Sequence, residues 1–226
     1  MCFELRRVGG TVAQLHALSA ALVAGPVPAR VAHAYQPADR AVVLGSGQPE
    51  GTVDPDACAA AGAQVVRRRS GGGAVLVEPG GSVWVDLVVP STDPLWCADV
   101  GQAAWWVGEA WAAALCRTGP GAFEVWKGPM LRREWSALVC FAGLGGGEVT
   151  GPGGRKVVGV SQRRTRHGSL FQCACLLRWE PADLLGLLQL APAERARAGA
   201  ELAEVALGAG PGHEEQILAH LLAALP

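Results

Sequence analysis

Between residues 31 and 176 the chain is cut repeatedly into short apolar runs by glycine-rich turns. The runs "RVAHAYQP", "AVVLG", "QVVRR", "AVLV", "VWVDLVVP" and "SLFQCACLLRW" are bounded by turn sequences such as "RSGGG" and "EPGGS". That pattern predicts strands. "AFEVW" and "SALVCFAG" are predicted as strands too, and "EVTGPGGRKVVGVSQRR" as a hairpin turning at Gly151–Gly154. The valines of "VWVDLVVP" predict burial on both faces. Helical patterns lie mostly at the two ends. "GGTVAQLHALSAALVAGP" predicts an opening helix capped by Thr11, with Leu15, Leu18 and Leu22 on one face and Gly25-Pro26 as its stop. "VDPDACAAAGA" predicts a short helix, with Asp54 as cap and Pro55 in its first turn. A long helix is predicted over 94–117, carrying Trp96, Trp105, Trp106 and Trp111 into the core. Two or three helices follow in 181–226. The expected fold is therefore α/β (α+β): one domain over 1–226, with a mixed, largely antiparallel β-sheet flanked by helices.

Nineteen basic and twenty acidic side chains give a formal charge of −1, a poor match to a nucleic-acid binder. The cluster "RRTRHGS" is thus read as something other than a nucleic-acid patch. No apolar run is long enough to span a membrane, and the N-terminal stretch "MCFELRRVGG" has no apolar signal core. Seven cysteines, with no CxxC pair, argue against a disulfide framework and a zinc ribbon. No metal site is expected, and free thiols in a reducing cytoplasm are.

Three segments carry candidate chemistry. In "RRRSGGGAV" (67–75), three glycines between strands expose backbone N–H groups that can form an anion nest, beside Arg68 and Ser70. A flexible hairpin is the plain alternative. The spacing fits neither a Walker loop nor a dinucleotide fingerprint. In "VCFAG" (139–143), Cys140 stands at a predicted strand end before a glycine-rich loop; it is either a buried structural cysteine or a reactive one. In "GGRKVVGVSQRRTRHGSL" (153–170) lies Lys156, one of only two lysines in the chain. Strand alternation puts Lys156, Val158, Val160 and Gln162 on one face, and Val157, Gly159, Ser161 and Arg163 on the other. Lys156 is then either a solvated edge charge or a compact ammonium directed at a carbonyl or phosphate oxygen. Gly159 leaves a gap against which a ligand can lie.

Together these segments resemble the biotin/lipoate protein ligase catalytic family, in its lipoate–protein ligase A branch. "RRRSGGGAV" is similar to that family's R-R-x-S-G-G-G-A-V loop, "GGRKVVGVSQRR" to its lysine-bearing segment, and "HGSL" to the H-G-[ST]-[LI] that follows. The resemblance spans about 30–180, with a helical end over 181–226. It implies a catalytic fold related to class II synthetases. It also implies transfer of a lipoyl or octanoyl group to the ε-amine of a lysine on a lipoyl-domain acceptor protein. Arg68, Ser70, Gly71, Gly72, Gly73 and Ala74 would then line the acyl or acyl-phosphate site, with Lys156 at the reacting carbonyl or phosphate. Gly159, Ser161 and Gln162 would shape the slot, and His167-Gly168 would close a turn nearby.

The resemblance implies two mechanisms. Ligases activate free lipoate or octanoate with ATP and Mg²⁺. Octanoyltransferases take the acyl group from acyl carrier protein through a cysteine thioester and need no cofactor. "CFAGLGGGEVTGPGGRK" is similar to the transferase arrangement, with Cys140 as nucleophile and Glu148 in the acidic place. Leu76, Val77 and Glu78 stand where ligases continue with an aromatic residue, His and Asp, and no Asn-Asp pair precedes the lysine strand. Only residues 180–226 follow Trp179, too few for the separate accessory domain of larger ligases. The Ser-Gly-Gly-Gly loop itself is closer to the ligase form. The expectation leans to transfer, with ligation and a non-catalytic acyl- or lipoyl-domain-binding protein as alternatives.

Overall fold

A computed structural model describes residues 2–226. Ten strands follow in chain order: β1 (Glu4–Gly10), β2 (Val31–Pro37), β3 (Arg40–Leu44), β4 (Ala63–Arg67), β5 (Val75–Val77), β6 (Ser82–Pro90), β7 (Glu124–Val125), β8 (Val149–Thr150), β9 (Lys156–Arg164) and β10 (Gly168–Leu176). Six α-helices accompany them: α1 (Val12–Ala21), α2 (Pro55–Ala60), α3 (Trp105–Thr118), α4 (Pro181–Leu185), α5 (Pro192–Leu202) and α6 (Glu214–Ala224). The strands form two sheets. A seven-stranded sheet runs β1-β2-β6-β10-β9-β8-β7, antiparallel except for the β1–β2 pair. A three-stranded sheet runs β4-β3-β5. The predicted mixed, largely antiparallel architecture with flanking helices is therefore present, divided over two sheets.

The local signals explain most elements. Thr11 caps α1 through a capping box with Gln14. The Asp54 carboxylate caps α2 at the N–H groups of Asp56 and Ala57, and Pro55 opens the helix. Residues Val83 to Pro90 of β6 are all buried, as two covered faces require. One face of the large sheet packs against α3 and α6 around the fully buried Trp111. The other face meets α1 and the small sheet, and the candidate site lies there.

Four expectations are corrected. The strand β1 is unforeseen, because Glu4, Arg6 and Arg7 on this edge strand point to water and leave little alternation. The helix predicted over 94–117 begins only at Trp105; the Asp99 side chain accepts from Gly101 N and Gln102 Nε2, a local turn that competes with helix. "SALVCFAG" is not a strand. It begins within the 3₁₀ turn Glu134–Ala137 and holds a second, Cys140–Ala142, and within it only Val139 makes a bridge, to Ala74. "AFEVW" keeps just two strand residues.

Candidate active site

The glycine loop is held from behind by Arg68. Its Nη2 donates to the carbonyls of Gly71 and Gly73, both at 2.8 Å, and its Nη1 to Val43 O at 3.3 Å. This buried guanidinium acts as a clamp on the loop rather than an open fork for an anion. The clamp uses the loop's carbonyls. The N–H groups of Gly71, Gly72 and Gly73 donate to no acceptor among the described residues, and all three residues line one cavity of about 280 Å³. Gln48 adds a second brace. Its Oε1 accepts from Gly45 N, and its Nε2 donates to Ala137 O and Leu138 O. Gly73 is required by close approach, because a Cβ there would lie 2.5 Å from Val139 N. Gly73→Ala should therefore displace the backbone and lower stability by about 1–3 kcal/mol, read as a fall in thermal midpoint.

Lys156 enters the same cavity because β9 carries an extra residue. The β8–β9 pairing shifts between Val149↔Val158 and Thr150↔Lys156. This bulge breaks the strict alternation expected from sequence. Val158 and Val160 pack into the core with Val157, while Lys156 turns to the face of Gly159 and Ser161 and lines the cavity with them. The lysine is 2% exposed. Its ammonium donates to Gly143 O at 3.0 Å and Cys140 O at 3.2 Å, and pairs with Glu148 Oε2 at 2.7 Å. It also stands 4.8 Å from the Phe141 ring centroid. All three ammonium protons thus have partners. Glu148 in turn accepts from Gly145 N at 2.7 Å and Val160 N at 3.1 Å. The space beside Gly159 is taken largely by this assembly: a Cβ there would meet Phe141 Cζ at 3.3 Å and Lys156 Cε at 3.4 Å.

Cys140, half-buried, lines the cavity with Lys156 and Gly71–Gly73. Its backbone is fixed by donation of Cys140 N to Ala74 O at 2.9 Å. Ala74 itself is fully buried behind the loop. Four further expected site residues, Ser70, Gln162, His167 and Gly168, lie away from this cavity. Ser70 stands at the loop's entry with a buried hydroxyl that has no partner. Gln162 is on the opposite face of β9, in a cleft with Ser46, Arg67, Arg68, Arg69 and Arg163. In that cleft Gln162 Nε2 and Arg163 Nη1 are buried without partners, so it offers donors to an anion. His167 and Gly168 close the β9–β10 turn, where Thr165 N donates to Gly168 O at 3.0 Å.

The opposite end of the cavity holds residues that sequence reading missed. Across the large sheet, Gly159 is followed by Ala174 on β10 and Trp84 on β6, the next row being Ser161, Gln172 and Asp86. His16 of α1 lies over Trp84 with ring centroids 4.6 Å apart. Asp86 is fully buried; it accepts from Ser19 Oγ and, at 3.2 Å, from Trp84 Nε1. Gln172 Nε2 donates to Ser19 Oγ at 2.8 Å. The available signal was a lone carboxylate inside the valine run of β6, which must find buried partners.

Burial holds the His16 imidazole down from 6.5 to about 4, with Arg68 adding to the effect. Burial also pushes the Asp86 carboxyl up from 3.8 to about 7, against the hydrogen bonds from Ser19 and Trp84. The two act oppositely on stability. The depressed His16 stabilises the fold above pH 6.5, and this is lost as pH falls towards 4. The raised Asp86 stabilises below pH 3.8, and this is lost as pH rises through 7. These two contributions should therefore largely offset one another between these limits. Asp86→Asn should lose stability on acidification from pH 6.5 to 4, and His16→Leu should gain it from pH 7 to 4. Each change reaches up to about 3–4 kcal/mol, measurable by urea denaturation across that range.

A half-buried thiol, a buried ammonium and free backbone donors thus meet around one cavity. The chain belongs to the lipoyl protein ligase A/B catalytic domain family, whose model matches residues 16–205. It is similar in fold to a bipartite lipoate protein ligase studied with its E2 lipoyl domain from Thermoplasma acidophilum, at 19% identity and a TM-score of 0.75, covering 99% of this chain and 82% of that one. A putative lipoate protein ligase from T. acidophilum with bound lipoic acid gives 18% identity, a TM-score of 0.71 and coverage of 99% and 83%. A lipoate-protein ligase A bound with ATP gives 20%, 0.69, and again 99% and 83%. No curated protein sequence matches.

Proposed function

We propose that this protein moves an octanoyl or lipoyl group from a carrier-protein thioester to the ε-amine of a lipoyl-domain lysine, through a thioester on Cys140. The observation that carries this reading is the meeting of Cys140, Lys156 and the unpaired N–H groups of Gly71–Gly73 on one apolar cavity. In the first step the Cys140 thiol attacks the donor's thioester carbonyl and gives up its proton. The carrier's thiolate leaves and takes up the proton from Cys140. In the second step the acceptor amine attacks the Cys140 thioester, an amide forms, and the thiol is restored. Both steps place negative charge on the carbonyl oxygen, which the glycine N–H groups and Lys156 receive. Because the ammonium's donors are filled, Lys156 reaches that oxygen by releasing one carbonyl. Cys140 O, the longer of its two carbonyl contacts, is the natural one to exchange. The acceptor is inferred from family membership and from the T. acidophilum relative studied with its E2 lipoyl domain.

ATP-dependent ligation of free lipoate or octanoate is the second reading, and the cationic cleft of Arg67, Arg69 and Arg163 beside the glycine loop favours it as a seat for phosphates. Mg²⁺ fits less well. Glu148 is the sole carboxylate lining the cavity, and its oxygens are engaged by Lys156, Gly145 and Val160. No helix among the described residues is long and apolar enough to cross a membrane. With its seven free cysteines, the chain is assigned here to a reducing cytoplasm.

The test is acceptor mass. An unmodified lipoyl domain is incubated with octanoyl carrier protein without ATP, or with free lipoate, ATP and Mg²⁺. Acyl gain in the first arm supports transfer. Gain only in the second supports ligation. Binding of the domain without modification in either arm would make the protein a non-catalytic binder.

A further inference from the structure

Resting on the reading of the cavity as an acyl site, we infer that His16 makes its inner end selective for an acyl chain that carries a hydrogen-bond-accepting group near its tip, such as a dithiolane, over a plain alkyl chain. The reacting end is set by Lys156 and Gly159 on β9. Trp84, on which His16 packs, lies two strands away on β6. At the usual strand spacing that is about 10 Å, comparable with an extended eight-carbon chain. Between the two ends the walls are apolar, with Val43, Val75 and Val77 of the small sheet facing Ala174 and Leu176.

The inner end is polar and firmly built. Asp86 accepts from Trp84 Nε1 and from Ser19 Oγ, so one carboxyl fixes both the indole and the helix that carries His16. Gln172 ties the same hydroxyl to β10. His16 itself lines the cavity, and no hydrogen bond from a described residue reaches either ring nitrogen. Its burial keeps the ring neutral at ordinary pH, with one N–H donor and one acceptor. A plain methyl tip would desolvate that N–H without replacing its partner. A ring sulfur can accept from it and also packs well against the Trp84 indole.

The expected preference for lipoyl over octanoyl is about tenfold in kcat/KM. The experiment presents both groups on the same carrier protein without ATP, and both as free acids with ATP and Mg²⁺, to wild type, His16→Leu and His16→Gln. Wild type should favour lipoyl. His16→Gln, which keeps a donor, should retain most of the preference, and His16→Leu should abolish it, read as the ratio of the two kcat/KM values within each variant. A wild-type ratio near one, or a preference that survives in His16→Leu, would overturn the inference while leaving acyl transfer intact. Acceptor modification in no arm would overturn the proposed function instead. Selectivity is then read by calorimetry of the two free acids, and equal affinities or no binding would sink the inference as well. If His16→Leu does not fold, the His16 ring ¹⁵N shifts of the wild type decide. Lipoate should move them and octanoate should not; equal responses would count against the idea.

Discussion

Replacing Lys156 by methionine is expected to lower acyl transfer by about 10²–10³-fold, the usual effect of removing an oxyanion donor. The same change should also cost about 3–5 kcal/mol of stability, because it strands the buried Glu148 carboxylate. The two effects can be separated. In Lys156→Met/Glu148→Gln neither charge of this pair remains, so the thermal midpoint should recover most of its loss while transfer stays low. Rates and midpoints are compared on the single and double variants. Recovery of activity along with stability would mean that the lysine only holds the Cys140–Gly143 turn in place.

Cys140→Ala is expected to reduce carrier-to-acceptor transfer by at least about 10³-fold, since no thioester can form. Its thermal midpoint should change little, because the side chain is half-exposed on the cavity wall. Cys175→Ala provides the contrast. That thiol is fully buried and pushed up to about 12 by its surroundings, so its loss should lower stability and leave transfer intact. Transfer that persists in Cys140→Ala would shift the assignment to direct attack by the acceptor or to ligation.

Much of this site was legible because it depends on unusual residue types. Three consecutive glycines and a scarce lysine stand out in any register, and Asp54-Pro55 and Thr11 announce their helices. What could not be read depends on distant packing. The bulge that turns Lys156 towards Gly159 exists only in the pairing with β8, and simple alternation put the lysine on the other face. The segment around Cys140 is apolar enough for a strand. It folds instead into 3₁₀ turns, with Val139 packed against Gly73 and bridged to Ala74. His16 carries no signal of its own within the predicted opening helix. Its role at the cavity's inner end comes from Trp84, 68 residues further along the chain, and from Asp86.

The most direct test of the account is the intact mass of the protein after mixing with octanoyl carrier protein, without ATP and without acceptor. The account predicts one added octanoyl group, mapped to Cys140, released by hydroxylamine, passed on when a lipoyl domain is added, and absent from Cys140→Ala. A protein that octanoylates the lipoyl domain yet never carries the group itself, or carries it on another residue, would contradict it.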